Sequence, residues 1–103
     1  MKPAVPRPQA LRDQQGEVRH YRKQGGTRLA VKVAKATKET LDQVEVEPGI
    51  GSPTLGKLLG IPGLSTWRVG KFSLLWCYFE RDDQLDVVRL LCEGQDILAV
   101  LGG

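Results

Sequence analysis

Residues 64–92 read LSTWRVGKFSLLWCYFERDDQLDVVRLLC. Three runs rich in β-branched, aromatic and aliphatic residues are punctuated by Gly70-Lys71 and by Arg81-Asp82-Asp83-Gln84, a pattern that predicts a three-stranded antiparallel meander. Strands are expected at 64–69, 72–80 and 85–92. A two-residue loop with glycine first fits a type II′ hairpin, which would pair Val69 with Phe72 and set Trp67 against Leu74. Across the second turn, pairing Glu80 with Leu85 would set Trp76 against Arg89 and Cys77 against Val88. One face would then carry Trp67, Val69, Phe72, Leu74, Trp76, Tyr78, Val87, Arg89 and Leu91. The other would carry Leu64, Leu75, Cys77, Phe79, Val88, Leu90 and Cys92. Both faces are apolar, so each needs a cover.

Upstream lies the first cover. Thr27 to Val46 places Leu29, Ala30, Val33, Ala34, Leu41 and Val44 on one stripe of a helix. Ala10 to Lys23 spaces Leu11, Val18 and Tyr21 for a shorter helix, although Gly16 weakens it. Gly25-Gly26 is a break of the length expected between antiparallel helices. Arg28, Lys32 and Lys35 form a basic stripe on a separate face of the longer helix. Residues 1–9, MKPAVPRPQ, carry prolines at 3, 6 and 8 and fit an edge strand or extended arm. Residues 47–63 are a glycine- and proline-rich connector with at most a turn of helix near Leu58-Leu59. A short amphipathic end, Ile97 to Leu101, is expected to help cover the second sheet face.

Size and charge set the class. The chain has 103 residues, 41% of them hydrophobic and 26% charged, values of an ordinary globular domain. Its formal charge of +3 is unevenly spread. Through Lys38 there are ten Lys/Arg and two Asp/Glu, a balance of +8; from Glu39 onward there are five and ten, a balance of −5. No apolar run approaches the ~20 residues that span a bilayer. The stretch after Met1-Lys2 is proline-rich and unlike a signal peptide, so a cytoplasmic location is expected, with Cys77 and Cys92 as free thiols.

Catalytic chemistry is poorly supplied. The register separates Cys77 and Cys92 by roughly 13 Å along the sheet, too far for a disulfide. One histidine, His20, and two separated cysteines give no metal-ligand spacing, and no cofactor is expected. The stretch GIGSPTLGK, 49–57, lacks the ending of a phosphate-binding loop. Asp82-Asp83 fit a turn. Arg89, in the middle of an apolar strand, needs a carboxylate or aromatic partner, and directly opposite Trp76 it could stack on the indole.

The ordered run of ALRDQQGEVRHY (10–21), EPGIGSP (47–53) and GLSTWRVGKFSLLWCYFERDDQLDVVRLLCEGQDILAVL (63–101) resembles the ParE branch of the RelE/ParE toxins of bacterial type II toxin–antitoxin modules. The resemblance spans about Ala10 to Leu101. It implies an α+β fold: an N-terminal edge strand, a helical hairpin (10–46) packed on a three- to four-stranded, mainly antiparallel sheet (64–92), and a short C-terminal helical segment (93–103), all in one domain of 1–103. It further implies a toxin that inhibits DNA gyrase by binding, and a cognate ParD-like antitoxin of the ribbon-helix-helix class in a hetero-oligomer. Operator DNA would be reached only through that complex. Arg89 matches the arginine of the family's last strand. Departures occur at Leu64-Ser65, Cys92 and Gln95-Asp96, where the family commonly has Leu-Arg, His and Arg-Asp.

On this reading the antitoxin would be met by Trp67, Phe72, Leu74, Trp76, Tyr78 and Leu91. The target would be met by Arg68, Arg89, Gln95 and Asp96. RelE-like relatives instead cleave mRNA on the ribosome, which here would fall to Arg68, Lys71, Arg81 and Arg89. Cleavage by 2′-hydroxyl attack needs a proton acceptor, a donor and cationic charge at the phosphate. After Arg89 the chain has no Tyr, His, Lys or Arg, which favours inhibition by binding. A relative that has lost toxicity and only binds its partner is the third reading.

Overall fold

A computed structural model describes residues 1–93 and 97–102. The elements, in order, are β1 (Ala4–Pro6), α1 (Pro8–Val46), a 3-10 turn (Pro48–Ile50), α2 (Thr54–Leu59), β2 (Leu64–Arg68), β3 (Leu74–Glu80), β4 (Leu85–Cys92) and α3 (Ile97–Gly102). The sheet is mixed, in the order β1-β4-β3-β2, with β1 parallel to β4 and the remaining pairs antiparallel. This is the α+β arrangement expected from the sequence.

α1 is a hairpin. As one straight rod its 39 residues would reach about 58 Å, yet the molecule is 38 Å in its longest dimension. The chain reverses at Gly26, whose φ of 79° and ψ of −172° lie in a region open essentially to glycine alone. Gln14 on the first arm donates to the Thr37 hydroxyl on the second at 2.8 Å, fixing the antiparallel alignment. Pro8 starts the helix, where a missing N–H goes unnoticed.

The second arm buries Ala30, Val33, Thr37, Thr40 and Val44, alternating steps of three and four residues, against the sheet. The threonines escape a purely apolar reading because each hydroxyl bonds back to its own helix, Thr37 to Ala34 and Thr40 to Ala36. On the first arm Ala10 is buried and Val18 and Tyr21 pack at its margin, whereas Leu11 is 44% exposed and leaves the expected stripe.

β1 is the edge strand that its prolines call for. Leu85 donates to the Pro3 carbonyl at 2.9 Å and Arg7 donates to Val87 at 2.8 Å. Residues 3, 5 and 7 therefore turn their polar groups toward β4, and the N–H that Pro6 lacks falls on the outer side. The Ala4 amide on that side donates to Glu45 at 2.6 Å, which blunts the edge.

Two registers differ from expectation. In the β2–β3 hairpin Trp67 pairs with Trp76, not Leu74, because Val69 donates to Leu74 and residues 70–73 form a longer loop. A shift of two leaves the faces unchanged. In the β3–β4 hairpin Glu80 pairs with Leu85 as expected, but the register slips between Cys77 and Tyr78. Beyond this bulge Trp76 lies opposite Leu90, and Arg89 lies opposite Cys77. A slip of one residue exchanges the faces. Leu90 and Cys92 thus join the helix-side core with Leu74, Trp76, Tyr78, Leu85 and Val87. Leu91 moves to the outer face with Leu64, Cys77 and Val88, where Ile97, Val100 and Leu101 of α3 cover them.

Candidate functional site

The bulge exists where β4 loses its neighbour. β1 stops at Pro6, opposite Val87, so the β4 edge beyond that point has no strand beside it. Asp13, one turn and a half into α1, takes over. One of its oxygens accepts from the Leu90 amide at 3.1 Å and from Arg89 Nε at 2.7 Å. The other accepts from Arg89 Nη2 at 3.1 Å and from Gln9 at 2.9 Å. The carboxylate replaces a strand and neutralises the arginine in one step. Arg89 stacking on Trp76 is therefore corrected: the indole is fully buried on the other side of the sheet and donates to the Thr37 carbonyl at 3.0 Å.

A second ion cluster sits beside the first. Asp86 accepts two hydrogen bonds from Arg7, at 2.9 and 2.7 Å, and one from Arg81 at 3.3 Å. Bonding to Arg7, chiefly, holds its carboxyl below the usual carboxylate range. Arg81 also lies over the Phe79 ring at 4.7 Å, which is the cation–aromatic contact of this sheet.

Between these clusters and α3 the outer face is concave. A groove of about 340 Å³ has an apolar floor of Ile61, Leu64, Phe79, Val88, Val100 and Leu101. Arg7, Gln9 and Arg89 form its polar wall. An apolar trough with polar groups along one side suits an amphipathic segment. Neither Arg7 nor Asp13 stood out in the sequence, because each acquires its meaning from a partner more than 70 positions away.

The residues expected to meet an antitoxin are mostly spent on the protein's own core. Leu74, Trp76 and Leu91 have no exposure and Tyr78 has 1%; the first two and Tyr78 lie under the helical hairpin, and Leu91 lies on the outer face beside α3. Trp67 and Phe72 pack at the margin of the helix-side core; Trp67 donates to Gln43 at 3.2 Å and Phe72 meets the Tyr21 ring edge-on at 5.3 Å. Those six therefore do not form one open surface. Among the expected target-binding residues, Arg89 lines the groove, and Arg68 is exposed and paired with Glu93 at 3.3 Å. Gln95 and Asp96 lie outside the described residues.

The tyrosines and the histidine are set away from these arginines. The Tyr78 hydroxyl donates to the Pro48 carbonyl at 2.7 Å and accepts from the Gly51 amide at 3.1 Å, on the helix side of the sheet. Burial raises its pKa. His20 and Tyr21 lie on the first arm with their rings edge-to-face at 5.5 Å. Cys77, at the centre of the outer face, has its thiol pushed up to about 12 by burial, with Arg89 opposing the rise. Such a thiol is not a nucleophile near neutral pH. Among the described residues no group of three His, Cys, Asp or Glu is placed to hold a metal, and no helix is long and apolar enough to cross a membrane.

With this geometry in hand, comparison with solved structures gives a chain from the chromosomal ParDE TA system of P. aeruginosa, superposing with a TM-score of 0.76. The two are 17% identical, and the match covers 89% of this chain and 96% of the other. The two chains share one fold. No protein-family model and no curated protein matches the sequence. At 17% identity the likeness is one of shape. Here its determinants are the glycine-reversed hairpin, the parallel edge strand and the meander.

Proposed function

We propose that the chain is the toxin of a bacterial type II toxin–antitoxin module, ParE-like, acting in the cytoplasm as one domain over residues 1–103. It inhibits DNA gyrase by binding and is neutralised by a cognate antitoxin of the ribbon-helix-helix class in a hetero-oligomer. The observation that carries this reading is the likeness, over nearly the whole length of both chains, to a component of a ParDE system. An amphipathic antitoxin segment suits the groove beside α3, its apolar side on Leu64, Phe79 and Val88 and its polar side along Gln9 and the aspartate-bonded Arg7 and Arg89. Operator DNA is reached through the antitoxin in that complex.

Binding is favoured over RNA cleavage by the disposition of the charged groups. Arg89 is held by Asp13, Arg81 by Asp86, and Arg68 by Glu93. Tyr78, His20 and Tyr21 belong to the helix side or the first arm, whereas Arg68 and Arg89 belong to the outer face. Expression in a bacterial host tests the reading. Growth arrest with intact mRNA, relieved by co-expressing a short adjacent reading frame whose product co-purifies, supports it. Mapped mRNA cuts that disappear in Arg89→Ala favour a RelE-like endoribonuclease, and expression without arrest favours a non-toxic relative.

A further inference from the structure

The proposed function leaves the far end of the helical hairpin unused. From Arg19 to Lys38 the chain contains no carboxylate. Arg19, Arg22 and Lys23 precede the Gly26 reversal, and Arg28 and Lys32 follow it; all five side chains are exposed. The edge-on contact of Tyr21 with Phe72 at 5.3 Å brings the β2–β3 loop to the same end, adding exposed Lys71. None of these six cations forms an ion pair among the described residues. The opposite end, where α1 finishes and β3 turns into β4, carries Glu39, Asp42, Glu47, Asp82 and Asp83, all exposed. Charge is thus separated along the molecule, which orients it in the field of a polyanion.

We propose that the hairpin tip is a docking surface for the phosphate backbone of duplex DNA, engaged without sequence preference. The chemistry at the tip fits phosphates better than a protein partner. Protein interfaces are anchored by aromatic and apolar residues at their centre; between the two basic clusters stand only Gln24, Gly25, Gly26 and Thr27, and a single exposed aliphatic side chain, Val31, stands beside Lys32. Single strands need open aromatic platforms, and the Tyr21 ring is occupied by Phe72 and His20. The major groove of B-DNA admits a helix, while the deep, narrow groove of duplex RNA does not. Arg28 and Lys32 lie about 6 Å apart along the helix axis, so both can follow one groove edge. This surface is separate from the outer-face groove. It brings DNA to the chain directly, beyond the operator contact made through the antitoxin.

Fluorescence anisotropy of the full chain with a labelled random-sequence duplex tests it without gyrase or antitoxin. Binding is expected at about 10⁻⁶–10⁻⁴ M, with the logarithm of affinity falling against the logarithm of salt at a slope of about −3 to −5. The variant Arg19→Gln/Arg22→Gln/Arg28→Gln/Lys32→Gln should bind at least tenfold more weakly with a flatter slope and an unchanged melting temperature. Lys57→Gln, an exposed cation on α2, should change affinity less than twofold. Parental binding by the fourfold variant, or tighter binding of single-stranded DNA or duplex RNA than of duplex DNA, overturns the proposal. Because gyrase is absent, failure here and failure of the gyrase reading are read separately.

Discussion

Asp13 and Arg89 meet at 2.7 Å across 76 positions of sequence, and the same carboxylate oxygen also takes the Leu90 amide. One side chain of α1 thereby ends the sheet edge and fixes the bulge that sends Leu90 inward and Leu91 outward. Removing the acid leaves a half-buried guanidinium and a strand amide without partners. Removing the base leaves an acid still bonded to Leu90 and Gln9. Asp13→Ala is therefore expected to cost about 2–4 kcal/mol and Arg89→Ala about 1–2 kcal/mol. Chemical denaturation of both, with the double variant, checks the order; an equal or reversed ranking contradicts it.

The reversal at Gly26 makes a second prediction. An alanine there must hold a backbone conformation that side chains avoid, at about 1–3 kcal/mol. Gly26→Ala should lower the melting temperature clearly. Gly16→Ala, on the same arm with open space around its Cα, should leave it unchanged or raise it. A loss at Gly16 equal to that at Gly26 would show that the reversal is not the sensitive point.

Thiol chemistry reports on the sheet. Cys77 is fully buried with its thiol pushed up to about 12. Near pH 8 a thiol reagent should therefore modify Cys77 only as fast as the protein unfolds. In Cys92→Ser the native protein should stay unlabelled over minutes and react at once in denaturant. Rapid labelling of that variant would mean that the α3-covered face opens readily.

Acid should act through Asp86. Its pKa is lower in the folded chain than in the unfolded one, chiefly because Arg7 bonds to it. The resulting stabilisation is complete above the unfolded value of about 3.9 and is lost as pH falls through the folded value. At pH 7 Asp86→Asn should be less stable than the parent by about 1 kcal/mol or less, since Arg7 and Arg81 are half exposed. As pH falls through the folded value that difference should shrink. A constant gap across this range would assign the effect to packing.

Local pattern made most of the architecture legible. Prolines at 3, 6 and 8 marked the edge strand, Gly25-Gly26 marked the reversal, and alternation marked the three antiparallel strands. What it missed depends on distant partners. Nothing in VVRLLC announces that Val88 will bulge, because the cause is Asp13 on another element. The bulge displaced Leu91 and Arg89 from the face assigned to them. Trp76 and Tyr78 were read as a binding surface because an aromatic stripe looks alike whether a partner or the chain's own helices cover it. Arg7 and the outer-face groove appear only when β1, β4 and α3 are assembled.

Whether the chain works by binding gyrase is decided with purified chain, gyrase and supercoiled plasmid. Loss of supercoiling and accumulation of cleaved gyrase–DNA complex are expected, both reversed by the co-purifying antitoxin. Undiminished supercoiling with no rise in cleaved complex at saturating toxin would contradict the gyrase reading.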